Sequence, residues 1–502
     1  VLFSTCAPTL YPELCVSTVG SSPAVETAED VMMKTLNQTV LAVERNYCTL
    51  KRTAAGKSGI LTVRGRNALG DCVELNEVSM EELGRCGELM AEHGMRIFSD
   101  SGHVETILTL LSAVQTNQMT CLDGLSGDEN VRRLLSAGHN RVFRLASNLL
   151  AMTRNLSNAE LPRIEQRVSR WPGWLSQADR MLLQAPSVTA DVTVAADGSG
   201  NYRTISEAVS AAPSNSKTRF VIRIKAGTYK EYVTIPASKQ NLMFVGDSYT
   251  TTIVTGDRNY IDGSTTFNSA TVAVVGTGFL ARDITFQNTA GAAKHQAVAL
   301  RVNADLTAFY RCGIYAYQDT LYTHSLRQFY TNCYISGTVD FIFGNSAVVI
   351  QESDIRARVP LANQKNMVTA QGREDPNQNT GIVIQRSTID GTSDLLPVIK
   401  NFPTYLGRPW KQYSRTVIMQ TTISAVIRPE GWYPWEGDFA LSTLFYAEYA
   451  NTGPGASTAN RVNWVGFTVF TSSSQAKPYT AENFIGANSW LPATGFPFNA
   501  GL

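Results

Sequence analysis

Two aspartates at a fixed spacing are the residues of this sequence most suited to chemistry. Asp319 recurs as Asp340, 21 residues further on, within two segments that resemble each other. A repeat of this length is typical of one coil of a β-solenoid, in which successive coils stack as neighbouring strands about 4.8 Å apart. Two carboxyl groups that close interact strongly, so one is expected to stay protonated while the other is ionised. The spacing therefore predicts a catalytic dyad of Asp319 and Asp340.

A cation beside the dyad is also predicted. Asp340 lies in the apolar run Val-Asp-Phe-Ile-Phe-Gly, where the pKa of a carboxyl group rises unless a positive charge compensates. Arg408, in Leu-Gly-Arg-Pro-Trp, is the expected partner, because Gly407 and Pro409 would fix its loop. The alternative is a purely structural ion pair of Asp340 with Arg408, in which Asp319 only caps a turn.

Other chemistries have little support in the sequence. It contains no Gly-x-Ser-x-Gly element of the usual serine hydrolases and no Cys-x-x-Cys pair of a structural zinc site. His295 and His324 are not spaced like metal ligands, and the other three histidines fall in a helical region. The net charge of +1 gives no sign of a nucleic-acid or membrane partner, and no apolar run is long enough to span a membrane.

The eight cysteines and two glycosylation triplets favour a secreted protein. Cys312 and Cys333 repeat at the spacing of the dyad. Strands about 4.8 Å apart fall within the ~4.4–6.8 Å between Cα atoms that a disulfide bond requires, so we expect these two cysteines to be joined. The other six leave their pairing open. Asn37 and Asn155 each begin an Asn-x-Ser/Thr acceptor for N-glycosylation.

The elements that must position these residues differ along the chain. Residues 24–161 contain no proline, and their apolar residues recur at helical spacing, as in Val104–Val114. This pattern predicts a helical bundle. Helices are expected to start at Asp100 or Ser101 and at Asp128.

From about Thr189 onward, short runs of Val, Ile and Phe alternate with Gly, Asn, Asp and Thr. Such strands indicate a sandwich or a solenoid, and the 21-residue repeat favours the solenoid. A short helix, Thr204–Ala212, is expected to cap the first coil. The predicted strands are Phe220–Lys225, Leu242–Val245, Ala270–Val275, Phe279–Phe286, Val298–Val302, Val348–Ile350, Gly381–Ile384 and Val417–Met419.

The predicted architecture is a helical bundle in residues 1–162, a linker in 163–188 and an all-β domain in 189–502. The first residues, Val-Leu-Phe-Ser-Thr-Cys, show neither an initiator methionine nor the basic and apolar regions of a signal peptide. We therefore expect a processed or truncated product.

Five motifs of the second half resemble, in the same order, the signature set of plant pectin methylesterases (pectinesterases). They are Gly227-Thr-Tyr-Lys-Glu231, Gln296-Ala-Val-Ala-Leu300, Gln318-Asp-Thr-Leu321, Asp340-Phe-Ile-Phe-Gly344 and Leu406-Gly-Arg-Pro-Trp410. The resemblance runs from about Asp191 to the C-terminus. It implies a right-handed parallel β-helix that hydrolyses galacturonate methyl esters of pectin, with no metal and no organic cofactor.

The resemblance also implies roles for individual residues. Asp340 would be the nucleophile, Arg408 would hold it ionised, and Asp319 would donate a proton to the departing methanol and then activate water. The amide groups of Gln296 and Gln318 would stabilise the oxyanion. The implied substrate-binding residues are Thr266, Gln296, Tyr322, Phe343, Arg408 and Trp410.

The first part of the chain is similar to the pectin methylesterase/invertase inhibitor family in Cys6-x8-Cys15, Asp71–Leu75 and Thr120–Gly124. This family implies the disulfide bonds Cys6–Cys15 and Cys72–Cys121, and it leaves Cys48 and Cys86 unassigned. The whole chain thus resembles a plant pro-pectinesterase, a monomeric zymogen secreted to the cell wall. Its implied partners are methyl-esterified pectin, its own inhibitor-like region and a processing protease.

Arg180–Leu183 resembles the processing motif of such proproteins, with Met181 in place of the second basic residue. Arg132–Leu135 matches the motif better as a string, but it lies in a predicted helix, where proteases have poor access. A competing interpretation is a pectin lyase or polygalacturonase, but the calcium-binding acid clusters and the Gly-His-Gly element that these enzymes need are absent. Another is a non-enzymatic binding protein that acts through the inhibitor-like region.

Overall fold

The computed structural model describes residues 1–20, 26–57, 61–158 and 189–502, which fall into two compact units. The helical unit holds the described residues up to 158 together with Gly263–Asn268 and Asp375–Asn379, and the β-helical unit holds the others. The predicted linker 163–188, with its Arg180–Leu183 motif, lies outside the described residues. None of the helices in the described ranges combines the length and apolar character that crossing a membrane requires.

Two short and four long α-helices build the described part of the helical unit. They are α1 (Leu2–Cys6), α2 (Pro12–Val19), α3 (Ala28–Lys57), α4 (Val63–His93), α5 (Ser101–Gly124) and α6 (Glu129–Asn158), with a 3₁₀ helix, Gly94–Ser99, after α4. Asp100 caps α5, since its carboxylate accepts hydrogen bonds from the backbone N–H groups of Gly102 (2.8 Å) and His103 (3.2 Å). Because α6 begins directly after Asp128, both predicted helix starts are confirmed.

Helices α3 to α6 form a bundle in which α3 packs on α4, α4 on α5, α5 on α6 and α6 on α3. Two disulfide bonds brace the unit, and they are the pairs that the family resemblance implies. Cys6–Cys15 joins α1 to α2, and Cys72–Cys121 joins α4 to α5. Cys48 is an exposed free thiol and Cys86 a buried one.

His139 of α6 lies in the core of this bundle. Its Nδ1 atom is 2.7 Å from Oε1 of Gln118, and its Nε2 atom is 3.5 Å from Sγ of Cys121. Because the amide oxygen can only accept, the Nδ1 atom carries a proton. Burial lowers the pKa of His139 to about 4.

The β-helical unit consists of parallel strands in three sheets, which confirms the predicted parallel β-helix. An eleven-stranded sheet contains β1 (Val192–Val194), β2 (Phe220–Ile224), β5 (Leu242–Gly246), β8 (Leu280–Arg282), β11 (Thr307–Tyr310), β14 (Arg327–Thr331), β17 (Ala347–Gln351), β20 (Gly381–Gln385), β23 (Arg415–Met419), β25 (Phe445–Tyr449) and β26 (Phe467–Val469).

An eight-stranded sheet contains β3 (Gly227–Lys230), β6 (Thr252–Gly256), β9 (Thr285–Asn288), β12 (Gly313–Tyr315), β15 (Tyr334–Gly337), β18 (Asp354–Ala357), β21 (Thr388–Gly391) and β24 (Thr422–Ile423). A seven-stranded sheet contains β4 (Val233–Ile235), β7 (Val272–Val274), β10 (Leu300–Asn303), β13 (Leu321–Ser325), β16 (Ile342–Gly344), β19 (Asn366–Gln371) and β22 (Thr404–Gly407). From β2 to β24 the chain visits the three sheets in turn, so each coil is added beside the previous one.

The short repeat in the sequence marks coils without inserted loops. In the seven-stranded sheet, Leu300 pairs with Leu321 and Leu321 pairs with Ile342, 21 residues further on each time. The following coils are longer, since Ile342 pairs with Thr369 and Thr369 pairs with Gly407. Loops can lengthen without disturbing the stack, because only the strands must stay in register.

The first coil is capped by α7 (Ile205–Ala211), which confirms the short helix predicted there. The hydroxyl of Thr204 accepts from the N–H of Glu207 (3.2 Å), whose carboxylate accepts from the N–H of Thr204 (3.1 Å). This reciprocal capping box satisfies two backbone donors that the start of a helix leaves free.

The eleven-stranded sheet is apolar on both faces. In β5, Leu242 and Phe244 belong to the interior core of the β-helix, whereas Met243 belongs to a second core outside it. Residues after β26 build the other side of this second core, including Trp490 and Phe496. They form the short helices α8 (Ser473–Ala476) and α9 (Ala481–Phe484) and the 3₁₀ helices Lys477–Tyr479, Ala487–Ser489 and Leu491–Thr494.

The predicted disulfide bond between Cys312 and Cys333 is not formed, so this prediction was wrong. The two residues lie on adjacent coils, beside the paired strands β12 and β15, but both are free, buried thiols. Residues in register on parallel strands point the same way, so their Cβ atoms stay about 4.8 Å apart, whereas a disulfide bond needs about 3.8 Å. The Sγ atom of Cys312 instead lies 3.5 Å from the carbonyl oxygen of Tyr310, and that of Cys333 lies 3.4 Å from the carbonyl oxygen of Thr331.

Candidate active site

The structure brings the two predicted acids together on adjacent coils. Asp319 and Asp340 each stand two residues before a strand of the seven-stranded sheet, and the register of β13 with β16 aligns them. The backbone N–H of Asp319 donates to the carbonyl of Val339 (3.0 Å). Both acids have a positive φ, 64° and 51° respectively. Matched backbone conformations on stacked coils point both carboxyl groups the same way.

Arg408 is bound to the second acid. It follows β22 directly, and its Nε and Nη2 atoms donate to the two carboxylate oxygens of Asp340 at 2.8 and 2.6 Å. A glycine at 407 permits the close approach of β22 to β19, because a Cβ atom there would collide with Thr369. The side chains of Arg408 and Asp340 are 22% and 8% exposed, so the ion pair is largely buried. The bidentate geometry fixes the carboxylate in one orientation.

The surroundings of the two acids push their protonation states apart. Burial, and then the negative charge of Asp340, raise the pKa of Asp319 well above its ordinary value. Burial also raises the pKa of Asp340, but the hydrogen bonds and charge of Arg408 oppose that rise. The acid that holds the bidentate cation is the one that ionises more easily, so this arrangement favours a proton on Asp319 and a charge on Asp340.

Trp435, which was not predicted from the sequence, completes the surroundings of Arg408. The guanidinium carbon lies 4.3 Å from the centre of the Trp435 ring, a cation–π contact. The aromatic run Gly431-Trp-Tyr-Pro-Trp435 could have indicated Trp435, but it is not one of the five motifs of the family resemblance.

Gln296 and Gln318 lie before β10 and β13, at the same end of the sheet as the acids. Their coils are tied together, since the backbone N–H of Ala297 donates to the carbonyl of Gln318 (3.2 Å). Both residues are partly exposed. The side-chain oxygen of Gln318 is buried and has no hydrogen-bond partner among the described residues. Its amide is therefore not committed to a neighbouring group of the protein.

Three aromatic residues that the resemblance implies for substrate binding form an aromatic cluster, defined here as Tyr322, Phe343 and Trp410. Tyr322 and Phe343 are paired in register on β13 and β16, and their rings stack with centres 4.2 Å apart. The Trp410 ring stands edge-on to them, at 6.5 and 6.0 Å. Gly372 makes room for it, since a Cβ atom there would lie 2.8 Å from Cε3 of Trp410. The cluster lies beyond the acids along the same two strands.

Thr266, Asn37 and Asn155 are the remaining predicted site residues. Thr266 is partly exposed and precedes the 3₁₀ helix Phe267–Ser269, which leads into β7, two strands from β13. Asn37 and Asn155 are exposed on α3 and α6.

The dyad and its neighbours have the parts that ester hydrolysis through a covalent intermediate requires. A carboxylate held by a cation is a nucleophile, and a protonated carboxyl group beside it is a proton donor. Neutral amides can stabilise an oxyanion without adding charge to an acidic site. The aromatic cluster offers apolar ring faces of the kind that line ligand sites.

Comparisons with known proteins show the family to which the chain belongs. A family model described as pectinesterase matches residues 191–488, and one described as plant invertase/pectin methylesterase inhibitor matches residues 2–152. Pectinesterase 3 from Citrus sinensis is 54% identical over 100% of this chain and 88% of its own. Pectinesterase/pectinesterase inhibitor 3 from Arabidopsis thaliana is 52% identical over 100% of this chain and 90% of its own.

Solved structures are similar to the β-helical part. Pectin methylesterase from carrot is 68% identical, with a TM-score of 0.63, over 63% of this chain and 100% of its own. Pectin methylesterase from Aspergillus niger is 32% identical, with a TM-score of 0.52, over 60% of this chain and 95% of its own. This chain therefore belongs to the pectinesterase family of carboxylic ester hydrolases, and it carries an N-terminal domain of the plant invertase/pectin methylesterase inhibitor family.

Proposed function

We propose that this pectinesterase hydrolyses the methyl esters of pectin through a covalent intermediate on Asp340. The observation that carries the proposal is the alignment of Asp319 with Asp340 on adjacent coils, together with the two hydrogen bonds from Arg408 to Asp340. A carboxylate that is already ionised needs no base to activate it before attack. The products are methanol and a galacturonate carboxylate.

In the first half of the reaction, a carboxylate oxygen of Asp340 attacks the carbonyl carbon of the ester. The carbonyl oxygen becomes an oxyanion, which accepts hydrogen bonds from the amide groups of Gln296 and Gln318. When this intermediate collapses, the bond to the methoxy oxygen breaks. The methoxy group takes the proton of Asp319 and leaves as methanol, so an anhydride joins Asp340 to the galacturonyl group.

In the second half, Asp319 acts as a base. It has lost its proton to methanol, and it now takes one from water while the water oxygen attacks the acyl carbon. The bond to Asp340 breaks, which restores its carboxylate and leaves Asp319 protonated again. Arg408 serves both halves, because it stabilises Asp340 whenever that residue carries its charge.

The sugar chain is held beside the dyad by the aromatic cluster. Ring faces of Tyr322, Phe343 and Trp410 pack against galacturonate rings, and Thr266 contacts the substrate from the loop before β7. A structural role of the stacked pair Tyr322 and Phe343 is compatible with this one, because their rings brace β13 against β16.

The N-terminal domain, residues 1–162, is an autoinhibitory or folding pro-region joined by the linker 163–188 to the catalytic domain, 189–502. Support comes from the match to the inhibitor family and from plant relatives whose names combine pectinesterase with pectinesterase inhibitor. A protease that cuts at Arg180–Leu183 would release the monomeric catalytic domain in the cell wall. Glycans at Asn37 and Asn155 would mark passage through the secretory route.

Replacing the nucleophile tests the mechanism. Asp340→Ala and Asp340→Asn are expected to abolish methanol release from highly methylated pectin while pectin binding persists. Asp354→Ala, which removes an acid on β18 of the eight-stranded sheet, serves as the matched control and is expected to keep normal turnover. Near-normal turnover in either Asp340 variant would refute the assignment of the nucleophile.

Comparing residues 184–502 with the full chain tests the role of the pro-region. Methanol release by the short form alone would support both the esterase mechanism and autoinhibition. Equal release by both forms would rule out autoinhibition and leave a folding role. No release by either form would contradict the proposed chemistry.

A further inference from the structure

Two positive side chains stand at the ends of the loop between β18 and β19. They belong to Arg358 and Lys365, and both residues are partly exposed. The side chain of Asn366 ties the loop ends together by donating to the carbonyl of Arg358 (2.9 Å). Arg356, two residues earlier, is neutralised by two aspartates. By contrast, no acidic side chain in the described part of the chain forms an ion pair with Arg358 or Lys365.

Backbone hydrogen bonds place both loop ends beside the coil that carries the nucleophile. The N–H of Arg358 donates to the carbonyl of Gly337 (2.8 Å), three residues before Asp340. The carbonyl of Met367, two residues after Lys365, accepts from the N–H that follows Asp340 (3.1 Å). These cations therefore lie beside the residues that precede β16 and β19, whereas Tyr322 and Phe343 of the aromatic cluster lie on the strands β13 and β16. Along this coil, Asp340 comes after Gly337 and before Phe343.

Arg358 is held in place over a tyrosine next to the other acid. Its guanidinium carbon lies 3.9 Å from the centre of the Tyr317 ring, and Tyr317 is two residues before Asp319. Arg358 donates to the carbonyl of Ala316 (2.7 Å) and to the hydroxyl of Tyr317 (2.9 Å). Arginine has five N–H donors in a planar fork, so donors are left over for a carboxylate.

Lys365 is held in the same manner beside the arginine of the active site. Its Nζ atom lies 5.2 Å from the centre of the Tyr433 ring. The backbone N–H of Tyr433 donates to the carbonyl of Gly407 (3.0 Å), the residue before Arg408. The ammonium group thus has a fixed position near the site while its charge is not neutralised by a described acid.

We propose that Arg358 and Lys365 bind unesterified carboxylates of galacturonate residues that neighbour the reacting ester on the same polymer chain. The inference rests on the proposed function and extends its cleft. Pectin carries one carboxyl group on every galacturonate, and a free one is an anion that pairs with a pre-positioned cation. Charge is what separates a free carboxylate from a methyl ester, so these two residues make the enzyme favour partly de-esterified stretches.

The test compares two substrates of equal chain length, a fully methyl-esterified polygalacturonate and one partly de-esterified by alkali. Residues 184–502 are used, because the whole chain of the carrot relative matches only 64% of this chain and forms a structure by itself. Arg358→Gln and Lys365→Gln are each expected to lower kcat/KM on the partly de-esterified substrate about tenfold, the effect of one charged hydrogen bond. On the fully esterified substrate, kcat/KM stays within about twofold of the wild type.

Two control variants separate charge from structure. Lys365→Arg keeps the charge and is expected to keep the preference, and Lys400→Gln removes an exposed charge from the loop one coil further on and is expected to change nothing. Binding of unesterified trigalacturonate, measured by calorimetry, needs no turnover and is expected to weaken about tenfold in both glutamine variants. This readout stands even if the proposed reaction fails.

Either of two results would overturn the inference. One is an unchanged ratio of kcat/KM values together with unchanged trigalacturonate binding. The other is an equal loss on both substrates, which would show that Arg358 and Lys365 only support the loop. A wild type that binds trigalacturonate but releases no methanol would instead count against the proposed function alone.

Discussion

Replacing Arg408, the cation beside Asp340, is the substitution whose energetic effect can be worked out best from the structure. In Arg408→Met, Asp340 loses two charge-assisted hydrogen bonds of 2.8 and 2.6 Å in a pair whose side chains are 22% and 8% exposed. Removing one partner of a buried ion pair costs about 3–5 kcal/mol. Because about a fifth of the arginine side chain faces solvent, we take the lower figure, ~3 kcal/mol. Because this energy is lost from the ionised form of Asp340, the ionised fraction, and with it kcat/KM, is expected to fall by up to about 100-fold at pH values below the pKa of Asp340.

The pH dependence of the variant gives a second, independent signature. Arg408 opposes the rise in the pKa of Asp340 that burial causes, so its removal raises that pKa further. The proposed nucleophile acts in its ionised form, so activity is expected to be lost as the pH falls through its pKa. The acid limb of the kcat/KM profile is therefore expected to move to higher pH in Arg408→Met.

Initial rates of methanol release by residues 184–502, measured between about pH 4 and pH 9, check both expectations. Arg356→Met is the matched control, since it removes an arginine that is paired with two aspartates on the same unit but away from the dyad. An acid limb that stays in place, or a loss smaller than about threefold, would refute the idea that Arg408 keeps Asp340 ionised.

Three further predictions concern the aromatic cluster and the helical unit. Gly372→Ala places a Cβ atom 2.8 Å from Cε3 of Trp410, so the Trp410 ring must shift. Because that ring is proposed to contact the sugar chain, KM for pectin is expected to rise about three- to tenfold, while kcat changes little. Since burial lowers the pKa of His139 from 6.5 to about 4, the unfolded chain binds an extra proton between these pH values. The contribution of His139 to the free energy of unfolding of the helical unit is thus complete above about pH 6.5 and falls by up to about 3 kcal/mol towards pH 4. Urea unfolding followed by circular dichroism measures this change, and His139→Gln is expected to abolish it. Replacing both Cys72 and Cys121 by alanine opens a loop of 49 residues and is expected to lower the free energy of unfolding of this unit by about 3–4 kcal/mol.

Each of these predictions has a result that contradicts it. An unchanged KM in Gly372→Ala would mean that Trp410 does not contact the sugar chain. A stability of the helical unit that is flat between about pH 4 and pH 6.5 would mean that His139 is not held neutral in the core. Unfolding at the same urea concentration with and without the Cys72–Cys121 bond would mean that packing alone fixes α4 on α5.

The dyad could be predicted from the sequence because residues separated by one coil length along the chain lie next to each other in a stack of coils. Asp319 and Asp340 fall in the two coils that have no inserted loop, so their 21-residue spacing survives in the sequence. Arg408 has no such signal. It lies beyond two longer coils, and only the chemistry of a buried carboxylate and the family motif pointed to it.

Side-chain direction is where reasoning from spacing failed. The same repeat that aligns the acids also aligns Cys312 with Cys333, but it aligns them side by side, pointing the same way. Two carboxyl groups can interact in that arrangement, because Coulomb interactions act across several ångströms. A disulfide bond cannot form there, because it requires converging Cβ atoms. Trp435 was missed for a related reason. Its contact with Arg408 depends on how a loop folds back, and the sequence has no periodic pattern that would predict this loop conformation.

The residues that cover the eleven-stranded sheet are made long after the strands beneath them. The ring centres of Phe498 and Phe329 lie 6.4 Å apart. The backbone of Asn499 exchanges two hydrogen bonds with the side chain of Gln351, about 150 residues earlier in the chain. At ribosomal rates of about 5–20 residues per second, this interval lasts about 10–30 s. During that time the coils of β14 and β17 present an apolar outer face without its cover. We therefore expect this outer face to be a site of aggregation or of chaperone binding until the last segment of the chain is synthesised.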